Sequence, residues 1–280
     1  MRAFVVCAVT LGLAALALAG CGGGAESAQP LEDAKPEHIH GVGVDPGDGA
    51  VLVATHRGLF RAARGADRLR PVGTYRHDLM GFTVVGAGDY VASGHPDLRT
   101  DLPSHLGLIR SRDGGRTWQP VSLHGHADFH LLRARGDVLY GGDVRGGRFL
   151  RSDDGGTTWE ERTLPAPTSD VAVSPADEDR LVAATERGLY ASEDGARSWR
   201  RLRAGIGFVA WPAEELLVVV APDGSVSRSR DGGRTLQSGG SLDGQPEALA
   251  AADGAVVAAV HGRGVFVSRD GGATWTLRAR

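Results

Sequence analysis

The stretch from Ser152 to Trp159, which reads SDDGGTTW, decides the fold of this chain because close copies of it recur. Its Gly-Gly pair supplies the positive φ angles of a tight turn, and Asp154 can accept backbone N–H bonds across that turn. Trp159 brings a large aromatic surface to the end of the hairpin. The stretch therefore predicts a β-hairpin in which both side chains have structural roles.

Four further turns share this pattern, at Ser111–Trp118, Ser192–Trp199, Ser229–Leu236 and Ser268–Trp275. Their central aspartates, with that of the first turn, lie 41, 40, 37 and 39 residues apart: Asp113, Asp154, Asp194, Asp231 and Asp270. Tryptophan closes four of the five turns: Trp118, Trp159, Trp199 and Trp275. A period near 40 residues is typical of four short strands that make one propeller blade.

Apolar runs that resemble strands precede each turn and extend the repeat to six units. The first unit keeps its strands but has lost the turn motif at 63–68, as terminal repeats often do. The units span about 38–75, 77–124, 128–164, 168–204, 206–241 and 246–280. We therefore predict an all-β fold, a single six-bladed β-propeller over residues 37–280, closed by packing of unit six against unit one without strand exchange.

The first 36 residues indicate export. A basic start, an apolar run from Ala3 to Leu18 and the sequence LAGC ending at Cys21 predict a lipoprotein signal peptide over residues 1–20, too short for a membrane-spanning helix. Cleavage would make Cys21 the lipidated N-terminus, and the glycine-rich segment 21–36 a flexible tether. Secretion with an unmodified Cys21 is the alternative. The expected location is extracytoplasmic, with the membrane as a partner through the lipid.

Composition narrows the classes of protein to which this chain can belong. Cys7 would leave with the signal peptide and Cys21 would be acylated, so the folded domain has no disulfide and depends on its core. A net charge of -3, from 31 basic and 34 acidic residues, provides no basic stripe and excludes a nucleic-acid partner. We expect a monomer.

The turns resemble the Asp-box, or BNR, repeats of sialidase-type propellers. A finer set of segments is similar to a group of bacterial secreted lipoproteins described as glycosyl-hydrolase-like or exo-sialidase-like: 38–41, 77–82, 93–96, 101–103 and 128–130. The resemblance implies the fold only, because the same scaffold occurs in binding proteins, assembly factors and enzymes.

An enzyme of the sialidase type is not supported by the motifs. The Arg-Ile-Pro element of those enzymes is absent, and Tyr90, Tyr140 and Tyr190 fall inside predicted strands. A glycosidase that uses paired carboxylates stays open. Its candidate acids are Asp78, Asp128, Asp143, Asp170 and Glu186.

Nine of the ten histidines lie between His38 and His130, a bias that the repeat does not require. With strands A to D counted outward from the propeller axis, the start of A and the end of B lie on one face, opposite the Asp-box turns. Imidazoles mixed with carboxylates are suitable ligands for zinc, copper, nickel or iron. The residues expected on this face as ligand or metal candidates are His38, His40, His56, His77, Asp78, His95, Asp128, His130 and His261.

Ring closure is expected to place His261, in the sixth unit, beside the first unit. We therefore predict a zinc or copper site formed by His40, His56 and His261. The alternative is that each histidine caps a loop by hydrogen bonding. The insertion Gly94–His105 emerges on the same face and predicts a partial lid. His105, His124 and His126 are weaker candidates.

Three functions remain open at this stage. The preferred one is a surface-anchored propeller that binds a transition metal or a small polar ligand at the histidine-rich face. The second is a glycoside hydrolase that uses the acids of the same face. The third is a protein-binding scaffold like the propeller assembly factors of photosystem II. Metal content of the purified protein separates the first from the second.

Overall fold

The computed structural model describes residues 36–280, and the predicted signal peptide, Cys21 and tether residues 21–35 lie outside that range. The described chain forms six four-stranded antiparallel sheets without a helix, which confirms the predicted six-bladed propeller. No helix long and apolar enough to cross a membrane occurs in residues 36–280.

Each blade is built from four consecutive strands that run from the axis outward. Blade 1 contains β1 (Ile39–Val44), β2 (Val51–Thr55), β3 (Gly58–Ala62) and β4 (Arg70–Pro71). Blade 2 contains β5 (Asp78–Gly86), β6 (Asp89–His95), β7 (Leu108–Ser111) and β8 (Gln119–Ser122). Blade 3 contains β9 (Phe129–Arg135), β10 (Val138–Asp143), β11 (Arg148–Ser152) and β12 (Glu160–Arg162).

The second half of the ring repeats this plan. Blade 4 contains β13 (Thr168–Val173), β14 (Leu181–Thr185), β15 (Gly188–Ser192) and β16 (Arg200–Arg203). Blade 5 contains β17 (Phe208–Ala213), β18 (Leu216–Val220), β19 (Ser225–Ser229) and β20 (Gln237–Ser241). Blade 6 contains β21 (Pro246–Ala252), β22 (Ala255–Val260), β23 (Gly264–Ser268) and β24 (Thr276–Ala279).

The apolar core lies between neighbouring blades. Strand β2 is buried along its whole length because alternate side chains face different neighbours. Val51 and Val53 pack with residues of blade 6, whereas Leu52 and Ala54 pack with residues of blade 2. A strand that is covered on both faces has a continuous apolar sequence, which explains the VLVAT run.

Blade 6 closes the ring against blade 1. Val257 and Ala259 pack with Val53 and Phe60 in one buried cluster. The backbone of Arg280 donates to the carbonyl of Asp67 and accepts from the N–H of Leu69, each at 2.8 Å. Each blade keeps its own four strands, so closure rests on side-chain packing and these edge hydrogen bonds.

The Asp-box turn is a hydrogen-bonded unit. Ser152 Oγ accepts the N–H of Gly156 at 2.8 Å and donates to Asp154 Oδ1 at 2.8 Å. Asp154 Oδ1 also accepts the N–H groups of Thr157 and Thr158, both at 2.9 Å. These bonds, first of all the one from the Thr158 hydroxyl, lower the pKa of the Asp154 carboxyl to about 2.

In four of the five turns the closing tryptophan packs at the boundary with the preceding blade. The ring of Trp159 lies 5.0 Å from that of Phe129, and its Nε1 donates to Ser122 Oγ at 2.9 Å. All four tryptophans at this position are partly buried. In blade 1 the eight-residue span from Ala62 to Leu69 has the length of an Asp-box turn, and the buried Leu69 occupies the tryptophan position.

Candidate metal centre

One end of the propeller axis carries most of the histidines. The starts of inner strands β1, β5 and β9, together with the loops that follow β2 and β6, meet there. We call this surface the His face. It comprises His38, His40, His56, His77, Asp78, His95, His105, Asp128 and His130.

The first cluster of the His face surrounds a buried carboxylate, and we call it the Asp128 group: His95, His105, Asp128 and His130. Asp128 Oδ2 lies 3.1 Å from His130 Nε2, 3.6 Å from His95 Nε2 and 3.8 Å from His105 Nδ1. The Asp128 side chain is only 6% exposed. Its Oδ1 and the Nδ1 of His105 are buried without a hydrogen-bond partner among the described residues.

Neighbouring groups hold this cluster in position. His95 Nδ1 lies 2.9 Å from the carbonyl oxygen of Ser104, which can only accept, so Nδ1 carries the proton and Nε2 has a free lone pair facing Asp128. The backbone N–H of Asp128 donates to Asp143 Oδ1 at 3.0 Å. The Arg148 guanidinium in turn binds Asp143 Oδ2. The His95 ring and the backbone at Asp128 are therefore oriented by fixed partners.

The second cluster, which we call the His56 group, consists of His38, His40, His56 and Asp78. His56 Nδ1 lies 2.7 Å from Asp78 Oδ1, and His40 Nε2 lies 3.2 Å from His56 Nε2. The rings of His38 and His56 meet edge to face with centroids 5.3 Å apart. Burial, followed by the charge of the neighbouring His56, lowers the pKa of His40 to about 4.

The two clusters adjoin each other. Asp78 and His95 are directly paired across strands β5 and β6, and Gly94 permits this approach because a Cβ there would collide with the Asp78 carbonyl. His40 and His130 line the same cavity of about 60 Å³ at the axis. That volume accommodates water molecules or an ion but no sugar ring.

The structure does not bring His261 into either cluster. Its Nδ1 lies 2.9 Å from Glu247 Oε1, and the imidazole is 66% exposed. It lines a separate cleft of about 1000 Å³ between blades 1 and 6, which it shares with His38. Glu247 of its own blade, rather than His40 and His56, is therefore the partner of His261.

His77 is a structural residue. It is buried, its Nδ1 accepts the backbone N–H of Asp97 at 2.9 Å, and Tyr75 stacks on its ring. Burial lowers the pKa of His77. Outside the clusters, His124 Nδ1 lies 3.0 Å from the carbonyl oxygen of Leu106, which matches the loop-capping alternative.

The insertion Gly94–His105 contributes to the Asp128 group at its C-terminal end. Asp97 anchors its base by accepting the backbone N–H of Arg76 at 2.7 Å, and the Arg99 guanidinium holds the pKa of Asp97 well below its ordinary value. Ser104 and His105 then lie against His95 and Asp128. His105, rated only a weaker candidate from sequence, is the residue that sequence reasoning undervalued; its place at the end of the insertion was the available signal.

Of the other candidate acids, two are paired with arginines and one is exposed. Asp143 is held by Arg148, and Asp170 pairs with Arg133 and accepts the N–H of Val209 at 3.0 Å. Burial raises the pKa of Asp170, although Arg133 opposes that shift. Glu186 is exposed. No pair of these carboxylates flanks a sugar-sized cavity at the axis within residues 36–280.

Comparison with known proteins supports the fold. Residues 266–277 match the BNR/Asp-box repeat. A chain of the nidogen/laminin complex is 11% identical with a TM-score of 0.60, over 81% of this chain and 91% of that one. An ancestral GH74 enzyme is 14% identical with a TM-score of 0.56, over 85% of this chain and 37% of that one.

A GH74 xyloglucanase from Xanthomonas campestris is 21% identical with a TM-score of 0.50, over 87% of this chain and 45% of that one. The chain thus spans less than half the length of either GH74 protein. No curated protein sequence matches it. At these identities the similarity establishes the propeller architecture and carries no activity with it.

Proposed function

We propose that this protein is a metal-binding propeller whose Asp128 group holds one transition-metal ion. The observation that carries the proposal is the buried Asp128 carboxylate, which has one unpartnered oxygen and three imidazoles around the other. A buried carboxylate is costly unless a cation or hydrogen-bond donors compensate it. No lysine or arginine pairs with Asp128 in the described part of the chain.

His95, Asp128 and His130 can share one ion, because their ligand atoms all lie within 4.8 Å of one another. Two ligands bound tetrahedrally to zinc at about 2.0 to 2.1 Å lie roughly 3.3 to 3.4 Å from each other. The distances from Asp128 Oδ2 to the nitrogens of His130 and His95, 3.1 and 3.6 Å, bracket that value, and His105 Nδ1 lies nearby at 3.8 Å. The hydrogen bond from His95 Nδ1 to a backbone carbonyl is the arrangement that metal-ligating histidines usually show.

The ligand types favour zinc or copper(II). Imidazole nitrogen suits both ions, and copper(II) binds a given nitrogen and oxygen site more tightly than zinc. Export and lipid attachment at Cys21, which we propose from the sequence, would hold this site outside the cytoplasmic membrane. The protein would then bind or carry metal at the cell surface.

The first test is metal content and affinity. After dialysis against zinc or copper(II), wild-type protein should retain metal in elemental analysis, whereas Asp128→Asn and His130→Ala should lower affinity at least tenfold in a chelator competition. His261→Ala is the matched control, because its imidazole is exposed on the same side of the ring and paired with Glu247. Equal losses in all three variants would indicate surface adsorption and contradict the proposal. Metal-free protein that cleaves fluorogenic glycosides would support the hydrolase instead.

A further inference from the structure

We infer that the His face holds a second metal ion, in the His56 group, beside the ion at the Asp128 group. The inference rests on the proposed function and extends it from one site to two neighbouring sites. Its ligands would be His40 and His56, whose ligand atoms lie within 4.8 Å of each other and of an Asp78 carboxylate oxygen.

The ligand spacing in this group also fits a metal ion. His40 Nε2 and His56 Nε2 lie 3.2 Å apart. Two nitrogens bound tetrahedrally at about 2.0 to 2.1 Å from one ion would lie roughly 3.3 to 3.4 Å apart. A hydrogen bond between two neutral imidazoles would give the same distance with one proton, and the copper titration below separates the two arrangements.

Asp78 fixes the tautomer of His56. The carboxylate of Asp78 lies 2.7 Å from Nδ1, which places a proton on that nitrogen and leaves Nε2 unprotonated, while His40 Nε2 lies 3.2 Å from Nε2 and 3.4 Å from Nδ1. A carboxylate bound to the far nitrogen fixes the tautomer and increases the basicity of a histidine ligand. Asp78 is therefore a positioning residue for His56.

The backbone of His38 adds an independent observation. His38 has a φ of +51°, one of four positive values among non-glycine residues in the described chain. Such conformations cost energy and concentrate at functional sites. This one places the ring of His38 at 5.3 Å from that of His56, next to the entrance of β1. His38 thus lies at the edge of the group, beside His56.

The two ions would be close neighbours. Asp78 of the His56 group and His95 of the Asp128 group are opposite residues in an antiparallel pair, where Cα atoms lie about 4.5 to 5.5 Å apart. His40 and His130 line the same small cavity at the axis. Paramagnetic ions in the two groups would therefore interact.

Copper(II) titration of the purified full chain, followed by electron paramagnetic resonance, tests the inference. Wild-type protein and His261→Ala should bind two ions and give a dipolar-broadened spectrum. His56→Ala should bind one ion, retain the Asp128 site and lose the broadening. Asp128→Asn should bind one ion at the other site. Circular dichroism verifies folding, and His40→Gln provides a second, milder variant of the His56 group.

The outcomes separate the inference from the function on which it rests. A single ion in wild-type protein that His56→Ala and His40→Gln leave unchanged would overturn the second site and preserve the first. Absence of bound copper in wild-type protein would overturn both. Loss of both ions in each single variant would also overturn the inference, since it would show one shared ligand set. Asp78→Asn, which keeps the shape of the side chain, should weaken only the second ion.

Discussion

Trp159 illustrates, at the scale of one residue, how the repeat stabilises the fold without serving the site. Its ring contacts Phe129 at the start of blade 3, and its Nε1 donates to Ser122 at the end of blade 2. We expect Trp159→Ala to lower the free energy of unfolding by about 2 to 3 kcal/mol, mainly through lost apolar burial. Urea unfolding measures this. Copper affinity should stay unchanged, because the turn lies on the face opposite the histidines; retained stability with lost copper binding would contradict that separation.

The role of such residues is largely visible in the sequence. Asp154 and Trp159 recur at fixed positions of a turn motif, and the turn's own hydrogen bonds require the aspartate. The role of Leu69 is not visible in the same way, because the motif around it has lost its serine, aspartate and second glycine. Only the packing between blades 6 and 1 shows that Leu69 occupies the tryptophan position.

At the scale of strands and loops, Tyr90 connects blade 2 to the turn between β1 and β2. This fully buried residue of β6 donates its hydroxyl to Asp45 Oδ2, which also accepts the N–H of Gly88 at 3.0 Å. Burial raises the pKa of Tyr90, so the hydroxyl remains a donor. Tyr90→Phe should cost about 1 to 2 kcal/mol of unfolding free energy, since it removes one bond to a buried carboxylate.

Thermal and urea unfolding of Tyr90→Phe check this prediction. Tyr75→Phe is the control, because Tyr75 is 48% exposed and lies before β5. The control should unfold like the wild type. Equal destabilisation in both variants, or in neither, would show that the bond between Tyr90 and Asp45 does not join the blades.

Strand-level reasoning predicts part of the candidate site. Alternation along a strand puts His38 with His40, and Asp128 with His130, on one side, and the propeller connectivity carries the ends of β2 and β6 to the same face. Contacts made by loops cannot be predicted in this way, because loop residues follow no regular side-chain alternation. His105 reaches Asp128 through an irregular insertion, and His261 is retained by Glu247 in its own blade. Neither contact follows from a spacing.

At the scale of the whole molecule, the number of blades was predictable because five turns share one period and the first unit keeps its strands. A repeat fold stacks equal units, and each unit buries its apolar faces against the next, so that the sequence period translates directly into architecture. The width of the axial cavity does not follow from the period. It depends on which side chains of the six inner strands meet there, such as His40, Phe82 and Leu249.

The five Asp-box turns together give the molecule a predicted acid sensitivity. Turn hydrogen bonds lower the pKa of each central carboxyl to about 2, from an ordinary value of 3.8: Asp113, Asp154, Asp194, Asp231 and Asp270. A carboxyl whose folded pKa is depressed contributes stability that is fully present above the unfolded pKa and is lost as pH falls through the folded one. Asp170 has the opposite effect on the pH dependence of stability, because burial raises its pKa. It is a single carboxyl, whereas the turns supply five.

We therefore expect the urea midpoint of metal-free protein to decline between about pH 6.5 and pH 4, as His40 and His77 with their lowered pKa values take up protons, and to fall further between about pH 4 and pH 2, as the turn carboxylates do. A chelator keeps metal loss, which follows imidazole protonation near pH 6.5, from contributing to the curve. Asp154→Asn should unfold more easily at pH 7 and show a smaller fall at low pH, because one of the five depressed carboxyls is gone. A midpoint that stays level down to pH 2, or a fall of equal size in wild type and variant, would mean that the turn carboxylates do not stabilise the fold.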